Sequence, residues 1–236
     1  MERTLEGQCV VVTGAFGALG AAVTRAALDA GATVAAIDRA DVAKAPGPAE
    51  RLKAWGGVDL STRAAAATTF ESIAQTFGAI HALVNVAGAF KWETVAGGTL
   101  EAWDELYNIN LRTTVSATQA ALPYLLKEAG NRPRRIVNIG AAAASHAAAG
   151  MGAYTAAKSG VARLTEALAA ELKDRNIMVN AILPSIIDTP TNRKDMPDAQ
   201  FDRWVRPEQA AAVIIFLLSA QSSAITGALI PVVGRV

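Results

Sequence analysis

From residue 9 to residue 233 the sequence alternates between short apolar runs rich in β-branched residues and longer Ala/Leu-rich stretches of helical spacing. The runs are CVVVT, TVAAID, GGVDL, HALVNVAG, RRIVNIG, IMVNAIL and ALIPVV, and helical spacing fills 18–30, 62–77, 100–129, 152–174 and 207–220. A strand exposed on one side alternates apolar with polar residues. These runs do not, so both faces of each strand must be covered. Repeated strand-helix-strand units predict an α/β fold, a parallel sheet with helices on both sides, as a single domain over 1–236. The stretch 43–55, AKAPGPAERLKAW, has the Pro and Gly content of a loop or broken helix between the second and third strands.

A chain of 236 residues, 52% hydrophobic and 18% charged, can bury a sizeable core. Its net charge of +1 is scattered along the sequence, which argues against nucleic acid or an anionic membrane as a partner. The opening MERTLEGQ lacks the apolar segment of a signal peptide, and the longest apolar stretch, 210–220, falls short of the roughly 18 residues of a membrane span. Cys9, the single cysteine, sits in a strand and cannot form an internal disulfide. A cytoplasmic location is expected. Two histidines and one cysteine, far apart, predict no metal site.

The first strand runs into TGAFGALG (13–20) and then into a helix. Gly14, Gly17 and Gly20 supply a tight turn, close backbone approach and close helix packing, while the helix N-terminus directs N–H groups at a pyrophosphate. Asp38, at the end of the second strand, stands at the spacing where a carboxylate takes the ribose hydroxyls of adenosine. It would repel a 2′-phosphate, although Arg39 beside it can stack on adenine or meet such a phosphate. NAD(H) is therefore favoured over NADP(H). Asp38 alone also reads as a turn residue or helix cap.

Six motifs in one order resemble the short-chain dehydrogenase/reductase family over essentially the whole chain: TGAFGALG, VDL with Asp59, NVAG (85–88), NINL with Asn110, the Tyr154/Lys158 pair, and LPSIIDT (183–189). The resemblance implies a seven-stranded, Rossmann-type doubly wound parallel sheet with a nicotinamide dinucleotide across the carboxyl ends of the strands. It implies that Phe16, Ala18 and Leu19 accompany the glycines at the diphosphate. Asp59 and Leu60 would lie near adenine, Asn85, Val86, Ala87 and Gly88 behind the ribose, and Pro184, Ser185, Ile187 and Thr189 around the nicotinamide carboxamide. Ala18 and Ser185 replace glycines common in the family. Taken alone, Asp59 reads as a helix cap and Pro184 as a strand end. The family also implies a substrate lid over 188–206, carrying Arg193 and Lys194, a small-molecule substrate, and a homodimer or homotetramer formed through the helices at 100–129 and 152–174.

Tyr154 and Lys158, at i and i+4, share a helix face. A free tyrosine titrates near 10, and an ammonium close by would favour its phenolate, making the pair a proton donor and acceptor. In the family the lysine also holds ribose hydroxyls, and an asparagine matching Asn110 orders a water. A serine that binds the substrate carbonyl is missing, because its position is Ala141. Removing such a donor costs on the order of 10²–10³ in rate in an acyl-transfer site. Three readings follow. Ser145, beside His146, replaces the hydroxyl and the chain reduces carbonyls or oxidises alcohols. Alternatively, the substrate is a conjugated C=N or quinonoid bond that builds little localised oxyanion, a reading joined to a likeness of 183–204 to dihydropteridine reductases. The third reading is a dinucleotide-binding sensor without turnover. Phe90, Lys91 and Trp92 are candidates for the substrate mouth, and His81 reads as structural.

Overall fold

The computed structural model describes residues 3–44, 50–127 and 133–236. Strands β1 (Cys9–Thr13), β2 (Thr33–Ile37), β3 (Leu52–Trp55), β4 (Ala82–Asn85), β5 (Arg134–Ile139), β6 (Ile177–Pro184) and β7 (Leu229–Val232) form one parallel sheet. Its order is β3-β2-β1-β4-β5-β6-β7. The apolar runs serve two cores at once. Val10, Val12, Val34 and Val84 face helices α1 (Ala18–Asp29) and α7 (Pro207–Leu218), while Val11, Ala35, Leu83 and Ile136 face α2 (Arg63–Phe77), α4 (Thr113–Leu126) and α5 (Gly152–Leu172). Covered faces on both sides explain why the strands show no polar alternation. Among the described residues no helix is long and apolar enough to cross a membrane.

The third strand is Leu52–Trp55 and not the GGVDL run at 56–60. Gly57, at φ +70, turns the chain there, and a Cβ on Gly56 would lie 2.5 Å from the Val42 backbone nitrogen. LKAW is an edge strand, where a polar Lys53 is tolerated, so it carries none of the continuous apolar signal of the central strands. Part of the expected loop, 45–49, lies outside the described residues.

The helix expected over 100–129 is three pieces: α3 (Leu100–Tyr107), a π turn over Asn108–Arg112, and α4. Residues 128–129 lie outside the described part. The segment 188–206 contains a short helix, α6 (Pro190–Asp195), that the periodicity did not announce. Its base is fastened: Ile187 bridges Val205, Val205 N donates to Ile186 O at 3.0 Å, and Asp188 N donates to Val205 O at 2.8 Å. His81 is structural, its Nδ1 accepting from Cys9 N at 3.0 Å.

Candidate active site

Strand order reverses between β1 and β4, and connections there leave in opposite directions, opening a crevice at the carboxyl ends. A cleft of about 750 Å³ lies there. Gly14, at φ +61, forms its floor, where a Cβ would lie 2.8 Å from Ala87 N. A Cβ on Gly20 would run into the Gly14 carbonyl oxygen and lie 2.7 Å from Ala15 Cα. Gly17 is under no such constraint, its nearest neighbour being Gly14 O at 3.6 Å. It stands before the first turn of α1, and both Gly17 and Ala18 are exposed on the cleft wall with Phe16 and Leu19. The tight packing thus falls on the first and third glycines, and Ala18 costs the fold nothing.

Asp38 is fixed against this loop, its Oδ2 accepting from Phe16 N and its Oδ1 from Ala40 N, both at 2.9 Å. Arg39, exposed, lies beside it on the wall. Asp59 accepts from Ser61 N at 2.9 Å, and the hydrogen bonds from Ser61 hold its carboxyl below the ordinary range. Leu60 lines the same end. Val86, Ala87 and Gly88 line the middle, whereas Asn85 does not reach the cleft. Its Nδ2 donates to Asn138 Oδ1 at 2.9 Å and to Thr118 Oγ1 at 3.2 Å in the core behind the wall. Pro184, Ser185, Ile187 and Thr189 form the opposite wall. The Ser185 hydroxyl donates to Val233 O at 2.8 Å, and Thr189 caps α6 by accepting from Asn192 N at 3.1 Å.

Tyr154 and Lys158 emerge together from α5 into the cleft. Lys158 is buried and donates to Ile139 O at 2.8 Å, and burial pulls its pKa down to about 8. Its ammonium lies 6.0 Å from the Tyr154 ring centroid. The expected lowering of the tyrosine pKa is reversed: burial disfavours the phenolate and pushes Tyr154 up to about 12. Phe90 packs edge-on against Tyr154, ring centroids 5.0 Å apart. Asn110 is fully buried in the π turn. Its Nδ2 donates to Ala89 O at 3.0 Å and Leu106 O at 2.9 Å, and its Oδ1 accepts from Ala89 N at 3.2 Å. This side chain therefore pins the Gly88–Ala89 backbone at the cleft, which Asn110 itself lines. A Cβ on Gly88 would lie 2.7 Å from Asn110 Oδ1 and 3.2 Å from Lys158 Nζ.

Ala141, Ser145 and Trp92, like Asn85, do not line the cleft. Ala141 is buried directly after Gly140, which lines it. Ser145 is exposed at the end of the 3₁₀ turn Ala142–Ala144, so the folding-back that would bring its hydroxyl to the reaction centre does not occur. Trp92 is exposed over Gly150, donating to Ala149 O at 3.1 Å. Arg193 also turns away, onto Asp188. Sequence reasoning missed Ser61, Asn108 and Asn192 on the cleft wall. Thr189 followed by Pro190, a capping residue before a first-turn proline, was a readable signal for α6 and hence for Asn192.

The cradle fits a dinucleotide: glycines stand where a Cβ would collide, a helix N-terminus faces the loop, and a carboxylate marks the far end. The short chain dehydrogenase profile matches residues 8–200. The chain is 34% identical to the 3-oxoacyl-(acyl-carrier-protein) reductase FabG of Thermotoga maritima, covering 98% of each, and 32% identical to 2-(S)-hydroxypropyl-CoM dehydrogenase 3 of Xanthobacter autotrophicus, covering 99% of this chain and 98% of the other. A 3-ketoacyl-(acyl-carrier-protein) reductase from Brucella melitensis, solved with NADH, superposes with a TM-score of 0.90 at 28% identity, covering 98% of this chain and 99% of that one. Nothing in these comparisons supports the likeness of 183–204 to dihydropteridine reductases. Profile, relatives and cleft geometry agree on one conclusion: this chain is an oxidoreductase that belongs to the short-chain dehydrogenase/reductase family.

Proposed function

We propose that the chain is an NADH-preferring reductase of a conjugated C=N or quinonoid bond, with Tyr154 as its single side-chain proton donor. The observation that carries this reading is the buried Ala141 where a second donor would stand, with Ser145 exposed outside the cleft. A ketone collects the incoming electron pair on one oxygen and needs preorganised donors around it. A conjugated ring or imine spreads that pair, and one donor is enough. Gly14, Phe16–Gly20, Asp38, Asp59, Leu60, Val86–Gly88, Pro184, Ser185, Ile187 and Thr189 would hold the dinucleotide, which when bound supplies a hydride.

Within the chain, the Tyr154 hydroxyl is kept protonated by burial and gives its proton to the substrate atom that gains electron density. Lys158, fixed by Ile139 O, offsets the charge left on the phenolate. Asn110 positions the Gly88–Ala89 backbone beneath both. Asp38, clamped by two backbone N–H groups, disfavours a 2′-phosphate and supports the choice of NADH. A homo-oligomer is part of the same reading: Leu100, Trp103 and Tyr107 leave one face of α3 apolar and exposed. The test is NADH oxidation against a panel of quinonoid dihydropterin, cyclic imines and simple ketones. Turnover confined to the conjugated substrates is expected, and ketone turnover at equal or higher kcat/KM overturns the reading.

A further inference from the structure

The charges that look scattered in the sequence are gathered by the fold. Arg193, Arg203, Arg206 and Arg235 line a second cleft, of about 700 Å³, with only Asp188 and Asp202 to offset them. Arg193 is bidentate to Asp188 at 2.6 and 2.8 Å, and Arg235 contacts Asp202 at 2.8 Å. Among the described residues Arg203 and Arg206 are in no ion pair. Two guanidinium charges are left over in one concavity, in a chain whose whole net charge is +1.

The walls of this cleft are fastened to one another. Arg203 donates through Nε and Nη2 to Arg235 O at 2.9 and 2.6 Å, and Arg235 N donates back to Arg203 O at 3.0 Å. Gly234, at φ +62, permits the turn: a Cβ there would lie 2.7 Å from Arg203 O. Arg193 stacks on Phe201, its guanidinium carbon 4.7 Å from the ring. Arg193, Arg203 and Arg235 are thus each tied to a neighbouring group at the cleft, while Arg206 is exposed on its wall.

We infer that this outer cleft is a binding site for a small polyanion bearing carboxylate or phosphate groups. Planar guanidinium forks match both groups bidentately, and a concave wall of one sign concentrates the field. Asp188 is the internal competitor, since it occupies the fork of Arg193 that an anion would take. The site backs onto the candidate active site: Asp188 and Arg193 face outward, while Ile187, Thr189 and Asn192 of the same segment line the dinucleotide cleft. An occupant of the outer cleft would therefore act on the segment from its opposite side.

Citrate and inorganic phosphate, titrated separately by calorimetry into the intact protein, test the site and tell the two chemistries apart. For at least one of them, saturable binding that weakens with added salt is expected. Asp188→Asn, which frees Arg193, should tighten it severalfold, and Arg206→Ala with Arg235→Ala should weaken it by about tenfold or more. Phosphate held by the glycine loop is unaffected by either change, so only the component that follows both variants belongs to the outer cleft. A gain in Asp188→Asn cannot come from misfolding. Binding unchanged in both variants, or absent for both anions at millimolar concentration, overturns the inference.

Discussion

Lys158 is buried beside Tyr154, and among the described residues it is in no ion pair. Its folded pKa of about 8 lies below the ordinary 10.5, so the unfolded chain binds a proton more readily between those values. Its contribution to stability is therefore fully recovered only above about pH 10.5, falls as pH drops toward 8, and stays unfavourable by about 3 kcal/mol at neutral pH. Lys158→Met removes that penalty but strands the Ile139 carbonyl, which costs about 1 kcal/mol. The variant should melt about 4–8 °C higher at pH 7 by calorimetry and be inactive. Tyr154→Phe should lose about 10²- to 10⁴-fold in kcat while fluorescence titration finds NADH affinity within about twofold. The pH profile of kcat/KM for reduction should be level below about pH 7 and fall as pH rises through about 8, where Lys158 loses its charge. With Tyr154 near 12, no second break belongs to the tyrosine below that range. A break near 7 that vanishes in Tyr154→Phe would assign the proton the other way.

At the scale of elements, the glycine loop separates what packing demands from what pattern suggests. Gly20→Ala places a methyl against the Gly14 carbonyl and Ala15, so it should destabilise the protein by about 1–3 kcal/mol in urea melts. Gly17→Ala meets only an ordinary contact at 3.6 Å and should stay within about 0.5 kcal/mol of wild type. Equal losses in the two would remove the steric account of the loop. The central strands were legible because burial on both faces leaves an unbroken apolar run, as in Val10–Val12. LKAW was not, because an edge strand carries its lysine in the open and hides Trp55 against Phe77 and Ser72. The break at Asn108–Arg112 was equally silent, since a π turn keeps helical spacing on both sides of its one extra residue. Asn110 could be read as important from its motif. That its amide grips Ala89 is a fact of three-dimensional register that spacing along one helix cannot carry.

For the whole molecule, surface chemistry decides what the isolated chain would do in solution. Leu100, Trp103 and Tyr107 are 79%, 38% and 51% exposed, and their spacing puts them along one face of α3. The patch continues beyond the helix: a Cβ on Gly152 would lie 3.4 Å from Trp103 and 3.6 Å from Val95, and Trp92 packs over Gly150. A continuous apolar surface of this kind is uncommon on a monomer, and with a net charge of only +1 little repulsion opposes self-association. An isologous contact lets one such face cover its own copy, so each exposed residue is buried twice per dimer. Leu100→Glu with Trp103→Glu places two carboxylates on that face in each protomer, where desolvation and like charge both oppose burial. Light scattering should find the wild type as a dimer or tetramer and the double variant shifted to a smaller species. Because α3 leads directly into the π turn that holds Asn110, the same variant should lose activity on dissociation, and regain it at protein concentrations that restore the assembly. Recovery with concentration would place the loss at the interface; a loss that persists in the reassembled protein would place it in the helix itself.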